Sequence, residues 1–347
     1  MNMTKFQLLG PRDFETSWKS PSNIAFVKYW GKKGHQLPAN ASLSMTLREC
    51  TTTTKISFKV EEKFSVKLFL DGIFNPAFSA KVSKFFESLF PLFPWIEKVG
   101  LHINTTNNFP HGTGIASSAS GMSAICLCFT DYLYFLSGLD EDKDFFKTAS
   151  FLSRLGSGSA CRSVYGDFAI WGKCLFTGSS DEFAIPFQPH NSFNGLQDSV
   201  IIFSSEEKKF SSRYGHGLMQ GHYFAESRFR QANKNFTDLL HSMEQGDFFT
   251  FGRILEVEAL SLHAMMMSSP EPYMLMKPQT IAAIELINDF RTQTDLPLFY
   301  TLDAGPNLHL IYPENLKEKI QTFIHHELEK LAEKVIHDQQ GDGPQRC

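Results

Sequence analysis

The sequence predicts a two-domain α+β protein, and three observations carry that expectation. The chain has 347 residues, more than one ordinary core takes up, and enough for two units that each bury a substantial interior. Its first part alternates apolar and polar residues in short runs, as in Ile56, Phe58 and Val60, then Val66, Leu68 and Leu70 before the turn Asp71-Gly72, the pattern of hairpins. Beyond a Pro/His/Asn-rich stretch at 186–197 the apolar spacing becomes helical. The join is placed there, giving units 1–190 and 191–347.

Composition narrows the function classes. Apolar residues make up 42% and charged residues 20%, which fits a globular chain and excludes disorder. A net charge of −4, with no basic run longer than a pair, argues against nucleic acid or an anionic membrane as a partner. The 34 phenylalanines are read as aromatic core. No apolar run is read as long enough for a membrane span, and no signal-peptide apolar region is found. The chain is therefore expected to be cytoplasmic. Its six cysteines lack metal-finger spacing and are expected to be reduced thiols.

Taken in order, Asn23 to Thr54 reads as an apolar strand, a Gly/Lys/His/Pro connection and a Ser/Thr-rich β-prone run. Lys28, Tyr29, Trp30 and Lys32 fall at the strand end, where two cations and two aromatics suit an anionic ligand. An edge-strand lysine over a packed tryptophan fits the same residues. Lys81 to Leu92 has helical spacing. Val99, Leu101 and Ile103 alternate before Asn107 to Gly121, NNFPHGTGIASSASG, and Ala119, Met122, Ile125, Phe129, Leu133 and Leu136 follow at helical spacing. That is strand, loop, helix. Small loop residues let backbone N–H groups approach an anion at a helix start, where the dipole adds positive charge. The loop lacks G-x-x-x-x-G-K-[ST], and Ser117 replaces the last glycine of G-x-G-x-x-G. It also fits an ordinary helix entry with Ser117 or Ser118 as N-cap.

A second Gly/Ser cluster, Arg154 to Ser163, ends in Arg162, whose planar fork suits a carboxylate or phosphate; an exposed helix residue is the other reading. Strands are expected at 166–176 and 200–204. Helical stripes follow: Phe229, Asn233, Phe236, Leu240, Met243; then Phe251, Ile254, Glu258, Leu262, Met265; then Ile281, Ile284, Ile287, Phe290. His263 and Met265 to Met267 lie at the end of the second stripe, the methionines read as gap-filling core. Leu298 to Ile311 reads as two strands about a Gly-Pro-Asn turn, with Asp303 where strand meets turn, a place aspartate also takes for local hydrogen bonding. Residues 316–335 read as one amphipathic helix and 338–347 as a frayed tail.

Four stretches, NIAFVKYWGKKGHQLPANASLSMTL, NNFPHGTGIASSASG, SRLGSGSACRSVYGDFAIW and TLDAGPNLHLIY, in this order closely resemble mevalonate diphosphate decarboxylases, a branch of the GHMP small-molecule kinase superfamily. The loop is shared across the superfamily; NIA-x-x-KYWGK with GSGSACRS and DAGPN is specific to the decarboxylase branch. The resemblance spans 21–312 and implies a GHMP-type fold with the active site in the cleft between domains. It implies phosphorylation of the C3 hydroxyl of mevalonate 5-diphosphate by ATP with Mg2+, then loss of phosphate and CO2 to give isopentenyl diphosphate.

By this resemblance Asp303 is the base oriented on the C3 hydroxyl, and Lys28 positions it or stabilises the transferring phosphoryl group. Arg162 with Ser159 holds the C1 carboxylate. Tyr29, Lys32 and Ser157 contact the substrate, and Lys67 stands where many members carry an arginine for the diphosphate end. Gly112, Gly114, Ser117, Ser118 and Ser120 belong to the ATP cradle; no metal ligand is assigned. Departures from the family pattern are His111-Gly112-Thr113 in the loop, Gly166-Asp167 for a more usual Gly-Gly, and Arg213 where threonine is usual. The expected partners are the small-molecule substrate and ATP, with a homodimer as the assembly. Competing expectations are the same chemistry on mevalonate 5-phosphate, a C3 kinase without decarboxylation, and a non-catalytic ligand sensor.

Overall fold

The computed structural model describes residues 3–109, 115–140, 144–206 and 210–347. Strands β1 (Phe14–Val27) and β4 (Ser42–Val60) form an antiparallel ladder from Phe14↔Phe58 to Val27↔Leu43. The run Thr51 to Thr54 favours a pleated surface, and Pro21, which has no N–H to give, sits at one of the ladder's two register shifts. Between these strands lies the short hairpin β2 (Lys32–Lys33) and β3 (Leu37–Pro38). Strands β5 (Ser65–Leu70) and β6 (Ile73–Phe74) meet at Asp71-Gly72, whose φ angles of 51° and 79° make the expected hairpin turn. Asn75 caps α1 (Pro76–Glu87) by accepting from Phe78 N–H.

Strand β7 (Val99–Asn107) pairs with β4 antiparallel and β5 parallel. Helices α2 (Ser117–Ser137) and α3 (Phe145–Gly156) pack together, with α2 on β1 and β4, over a core that includes Trp18, Phe58, Leu101, Phe129, Tyr132 and Phe145. Contrary to the sequence reading, α2 is long and apolar enough to cross a membrane by length and composition, but most of it is buried inside the fold. A helix covered on both sides is apolar all round for packing reasons. Strands β8 (Phe168–Trp171) and β9 (Ile185–Phe187) complete this region, β8 pairing with the start of β4.

The second region begins at β10 (Gln197–Ile202), followed by α4 (Ser212–Leu218), α5 (Ala225–Gln245), α6 (Phe248–Met267) and α7 (Pro278–Thr294). Strands β11 (Phe299–Thr301) and β12 (Leu308–Tyr312), then α8 (Lys317–Phe323) and β13 (Lys334–Gln339), give a sheet of order β11-β12-β10-β13. One core joins the regions: Ile24, Phe26, Leu43 and Met45 of the first sheet meet Val200, Ile202, Ile311, Phe236 and Phe251.

Two expectations are corrected here. The helix expected over 316–335 ends at Phe323 and passes through a π-turn at Ile324–Leu328, while Val335 pairs with Ile201 in β13. Ile320, Ile324 and Leu328 bury toward the same core as Val335 does, so apolar spacing ran on across a change of element. The tail is not frayed. Asp338 accepts the N–H groups of Arg48, Glu49 and Cys50 at 2.9, 2.8 and 2.8 Å, β14 (Gln345–Arg346) pairs with β1, and Arg346 pairs with Asp131. Backbone pairing and charge hold this segment, and an apolar pattern registers neither. The six cysteines are free thiols.

Candidate active site at the meeting of β1, β8, α6 and β11

Strand β1 delivers Lys28 just beyond its last residue, and β11 delivers Asp303 in the turn that follows it. The two side chains, 275 residues apart, meet with Lys28 Nζ donating to Asp303 Oδ1 at 2.9 Å. Lys28 is 2% exposed and Asp303 27%, so the pair is buried at its cation and open at its carboxylate. Lys28 Nζ also donates to the Ala25 carbonyl at 2.6 Å. Burial pulls the Lys28 pKa below the ordinary lysine range, against the raising effect of Asp303.

The Lys28 backbone is held from two sides. Its N–H donates to Glu258 Oε2 at 3.0 Å, and its carbonyl accepts from Asn40 Nδ2 at 3.0 Å. Glu258 is itself paired with Arg228 through two bonds of 3.0 and 2.7 Å and accepts from Asn235 at 2.6 Å. The Asp303 carbonyl accepts from Gly305 N–H and from His263 Nε2, the latter at 3.1 Å. Asn307 ties the same turn to the end of β10 by accepting from Phe203 N–H at 2.9 Å.

Arg162 lies after the 3-10 turn Gly158–Cys161 and is buried, not an exposed helix residue. Nη1 donates to Ser42 Oγ at 2.6 Å and Nη2 to Asn23 Oδ1 at 3.3 Å. Its Nε has no partner among the described residues, nor do the ion pairs there include Arg162. Burial lowers its pKa, yet arginine keeps its charge in a protein. A buried cation without a counter-ion is costly until an anion arrives.

Tyr29 stands beside it, its buried hydroxyl also unpartnered among the described residues. Its ring lies 4.6 Å from Trp171 and 4.4 Å from His216, centroid to centroid. Gly158 is required there, because a Cβ would come within 2.8 Å of both the Tyr29 hydroxyl and the Trp171 ring. Ser157 and Ser159 flank that glycine, half-buried, and the Ser159 carbonyl accepts from Asn23 Nδ2 at 3.4 Å. Lys32 is on the β2–β3 hairpin, bonded to Gln36.

At the other end, α2 begins at Ser117. Its N-cap is Ala116, in the left-handed region at φ 41° and ψ 40°, and no side chain among the described residues caps it. Neither Ser117 nor Ser118 is the N-cap, and the uncapped start leaves backbone donors for an anion. Ser120 is corrected: it is buried, with Oγ bonded to Thr52 Oγ1 at 2.6 Å, facing the sheet. Gly112, Gly114 and the segment His111-Gly112-Thr113 lie outside the described residues, as does the Arg213 side chain. Lys67 does not join the Lys28 group. Exposed on β5, it pairs through His102 and Ser57 to Glu15, near the beginning of the strand whose far end carries Lys28.

Sequence reasoning missed Asn23, Ser42, Glu258, His263 as a hydrogen-bond donor, and His216. His216 Nδ1 accepts from Gly31 N–H at 3.0 Å, and burial plus the charge of Lys32 holds its pKa down at about 3. A lone glutamate in an apolar helical stripe was the available signal for Glu258, since buried acids are paired.

Comparison with known proteins bears on this geometry. Residues 20–183 match the family described as diphosphomevalonate decarboxylase-like N-terminal domain, and residues 199–347 the mevalonate 5-diphosphate decarboxylase C-terminal domain. The chain is 29% identical to diphosphomevalonate decarboxylase of Debaryomyces hansenii, covering 92% of this chain and 84% of the relative. It is similar to the solved mevalonate diphosphate decarboxylase of Staphylococcus aureus, with TM-score 0.84, 26% identity, and coverage of 97% and 98%. A structure named MDDEF in complex with MVAPP, AMPPCP and magnesium gives TM-score 0.84, 28% identity, and coverage of 97% and 99%.

Proposed function

The chain belongs to the mevalonate diphosphate decarboxylase family, and on that premise we propose that it converts mevalonate 5-diphosphate and ATP to isopentenyl diphosphate, ADP, phosphate and CO2. The observation that carries the proposal is the buried Arg162, whose Nε has no partner among the described residues, close to a Lys28–Asp303 pair. A kinase acting on an alcohol needs the pair; only a reaction at a carboxylate needs the arginine.

A tertiary alcohol is a poor leaving group, and phosphorylation makes it a good one. Asp303, its carboxylate open to solvent, orients the C3 hydroxyl and takes its proton as the oxygen bonds to the γ-phosphorus and the bond to the β-phosphate oxygen breaks. Lys28, bonded to Asp303 Oδ1, turns its positive charge to the transferring group, and orientation of the hydroxyl carries much of the effect. The C3–O bond then breaks, phosphate leaving with the electron pair. The C1–C2 electrons become the C2=C3 double bond and CO2 departs. Arg162 Nε, with Tyr29, Ser157 and Ser159, fixes the carboxylate plane for that step.

The uncapped start of α2, with Ser117 and Ser118, receives the ATP phosphates. Magnesium is bound through few carboxylates and substrate phosphates, which suits a chain where no cluster of three His, Cys, Asp or Glu occurs among the described residues. It supplies neutralisation of phosphate charge. Positioning and charge neutralisation provide most of the catalysis in phosphoryl transfer. The MVAPP, AMPPCP and magnesium in the solved relative support this assignment of substrate and cofactors.

One observation favours a second reading, mevalonate 5-phosphate as substrate: Lys67, expected at the diphosphate end, lies along the sheet away from the site. Purified protein with Mg-ATP and, separately, mevalonate, its 5-phosphate and its 5-diphosphate distinguishes the two. The proposal expects ADP and CO2 with the 5-diphosphate far ahead of the others; turnover led by the 5-phosphate establishes the second reading.

A further inference from the structure

We infer that helix α6 is the positioning element of the Lys28–Asp303 pair, holding one member through Glu258 and the other through His263. Each member lies past the end of its strand. The β1–β4 ladder stops at Val27↔Leu43 and the β11–β12 ladder at Thr301↔His309, so neither ladder pairs the backbone of Lys28 or Asp303. Helix α6 packs against both strands and supplies what the ladders do not. Glu258 accepts the Lys28 N–H at 3.0 Å and His263 Nε2 meets the Asp303 carbonyl at 3.1 Å.

A carbonyl only accepts, so His263 Nε2 carries the hydrogen and the ring is fixed in that tautomer. Both side chains are buried, Glu258 at 0% and His263 at 1% exposure. Arg228 and Asn235 of α5 brace Glu258 in turn, and Asp247 caps the start of α6 by accepting from Thr250 N–H. One rigid helix thus sets the spacing of two groups that arrive from distant parts of the chain. Displacement of a reacting group by about 1 Å can cost roughly a hundredfold in rate, so this spacing matters to the chemistry although neither side chain reaches it.

The inference rests on the proposed reaction, and its test separates the two. His263→Phe keeps a ring and removes the donor; His263→Gln restores a donor near Nε2. With Mg-ATP and mevalonate 5-diphosphate, His263→Phe is expected to lower kcat about ten- to a hundredfold with both KM values within about twofold, and His263→Gln to recover most of the loss. Crystal structures of wild type and His263→Phe should show the Lys28 to Asp303 bond of 2.9 Å broken in the variant. Unchanged kcat with that bond intact overturns the inference. If wild type does not turn this substrate over, the proposed reaction fails while the crystal distance still decides the role of α6. Should His263→Phe not fold, His263→Leu carries the same two readouts.

Discussion

In the proposed reaction the site has a carboxylate end and a phosphate end, and the two are built by different means. At the first, Arg162, Lys28 and Asp303 arrive already bonded to Ser42, Asn23, Ala25 and one another. At the second, α2 opens on Ala116 with no capping side chain. On the proposed reaction, side chains fix the groups whose geometry decides the chemistry, while a helix start without a capping side chain among the described residues serves a ligand that brings its own charge. The cost falls at the first end, where Arg162 is buried with no ion-pair partner among the described residues, and the proposed reaction brings a carboxylate that offsets it.

The largest expected effect breaks the pair itself. Asp303→Asn should lower kcat by about a hundredfold or more, the scale of a lost acid/base or orienting group, with ATP affinity unchanged in a binding titration. Near wild-type turnover would remove Asp303 from the mechanism. Arg162→Met sharpens the comparison, because it deletes a charge that enters no ion pair among the described residues. We expect kcat/KM to fall roughly tenfold to a hundredfold, as for a lost charged hydrogen bond of about 1.5–3 kcal/mol, while the melting temperature holds or rises, since replacing buried ions by apolar groups is often neutral or stabilising. A sharply lower melting temperature would show that Arg162 is structural.

At the phosphate end the effects should be smaller and confined to ATP. Ser117→Ala is expected to raise the KM for ATP several-fold, about 1 kcal/mol for a lost hydrogen bond, with kcat unchanged. Ser120→Ala should leave that KM alone and cost about 1 kcal/mol of stability, because its hydroxyl bonds Thr52. If the two serines exchanged roles, the assignment of the α2 start would be reversed.

His216 gives a pH test. Its folded pKa is about 3, down from 6.5, so the unfolded chain binds a proton that the folded one refuses between those values. The stability it supports is present above pH 6.5 and is lost as pH falls toward 3, at about 1.4 kcal/mol per unit. Between pH 7 and 5.5, wild type should lose about 1 kcal/mol more than His216→Leu in denaturant unfolding. Equal losses would show that the ring is not held neutral against Gly31.

Much of this was legible from residue order, and for identifiable reasons. The alternation over Val99 to Ile103 and the helical spacing that follows it marked β7 and α2. Asp303 at a strand end and Arg162 after a Gly/Ser cluster each also fitted a local structural reading, and the family resemblance singled them out. Glu258 showed only as a lone acid in an apolar stripe and His263 only as a residue at the end of that stripe, because their partners lie in distant segments that no local spacing encodes. The tail from Asp338 to Arg346 was misread for the same reason: three backbone amides and one carboxylate hold it. Lys67 was placed by resemblance alone, and strand register sets it at the other end of β1.

The most direct test of the account is a single-turnover measurement with enzyme in excess, Mg-ATP and mevalonate 5-diphosphate, following ADP, phosphate and CO2 together. The account predicts the three in equal amounts, with formation of all three slowed in Asp303→Asn. ADP formed without CO2 would contradict it, leaving a kinase in which Arg162 has no carboxylate to release.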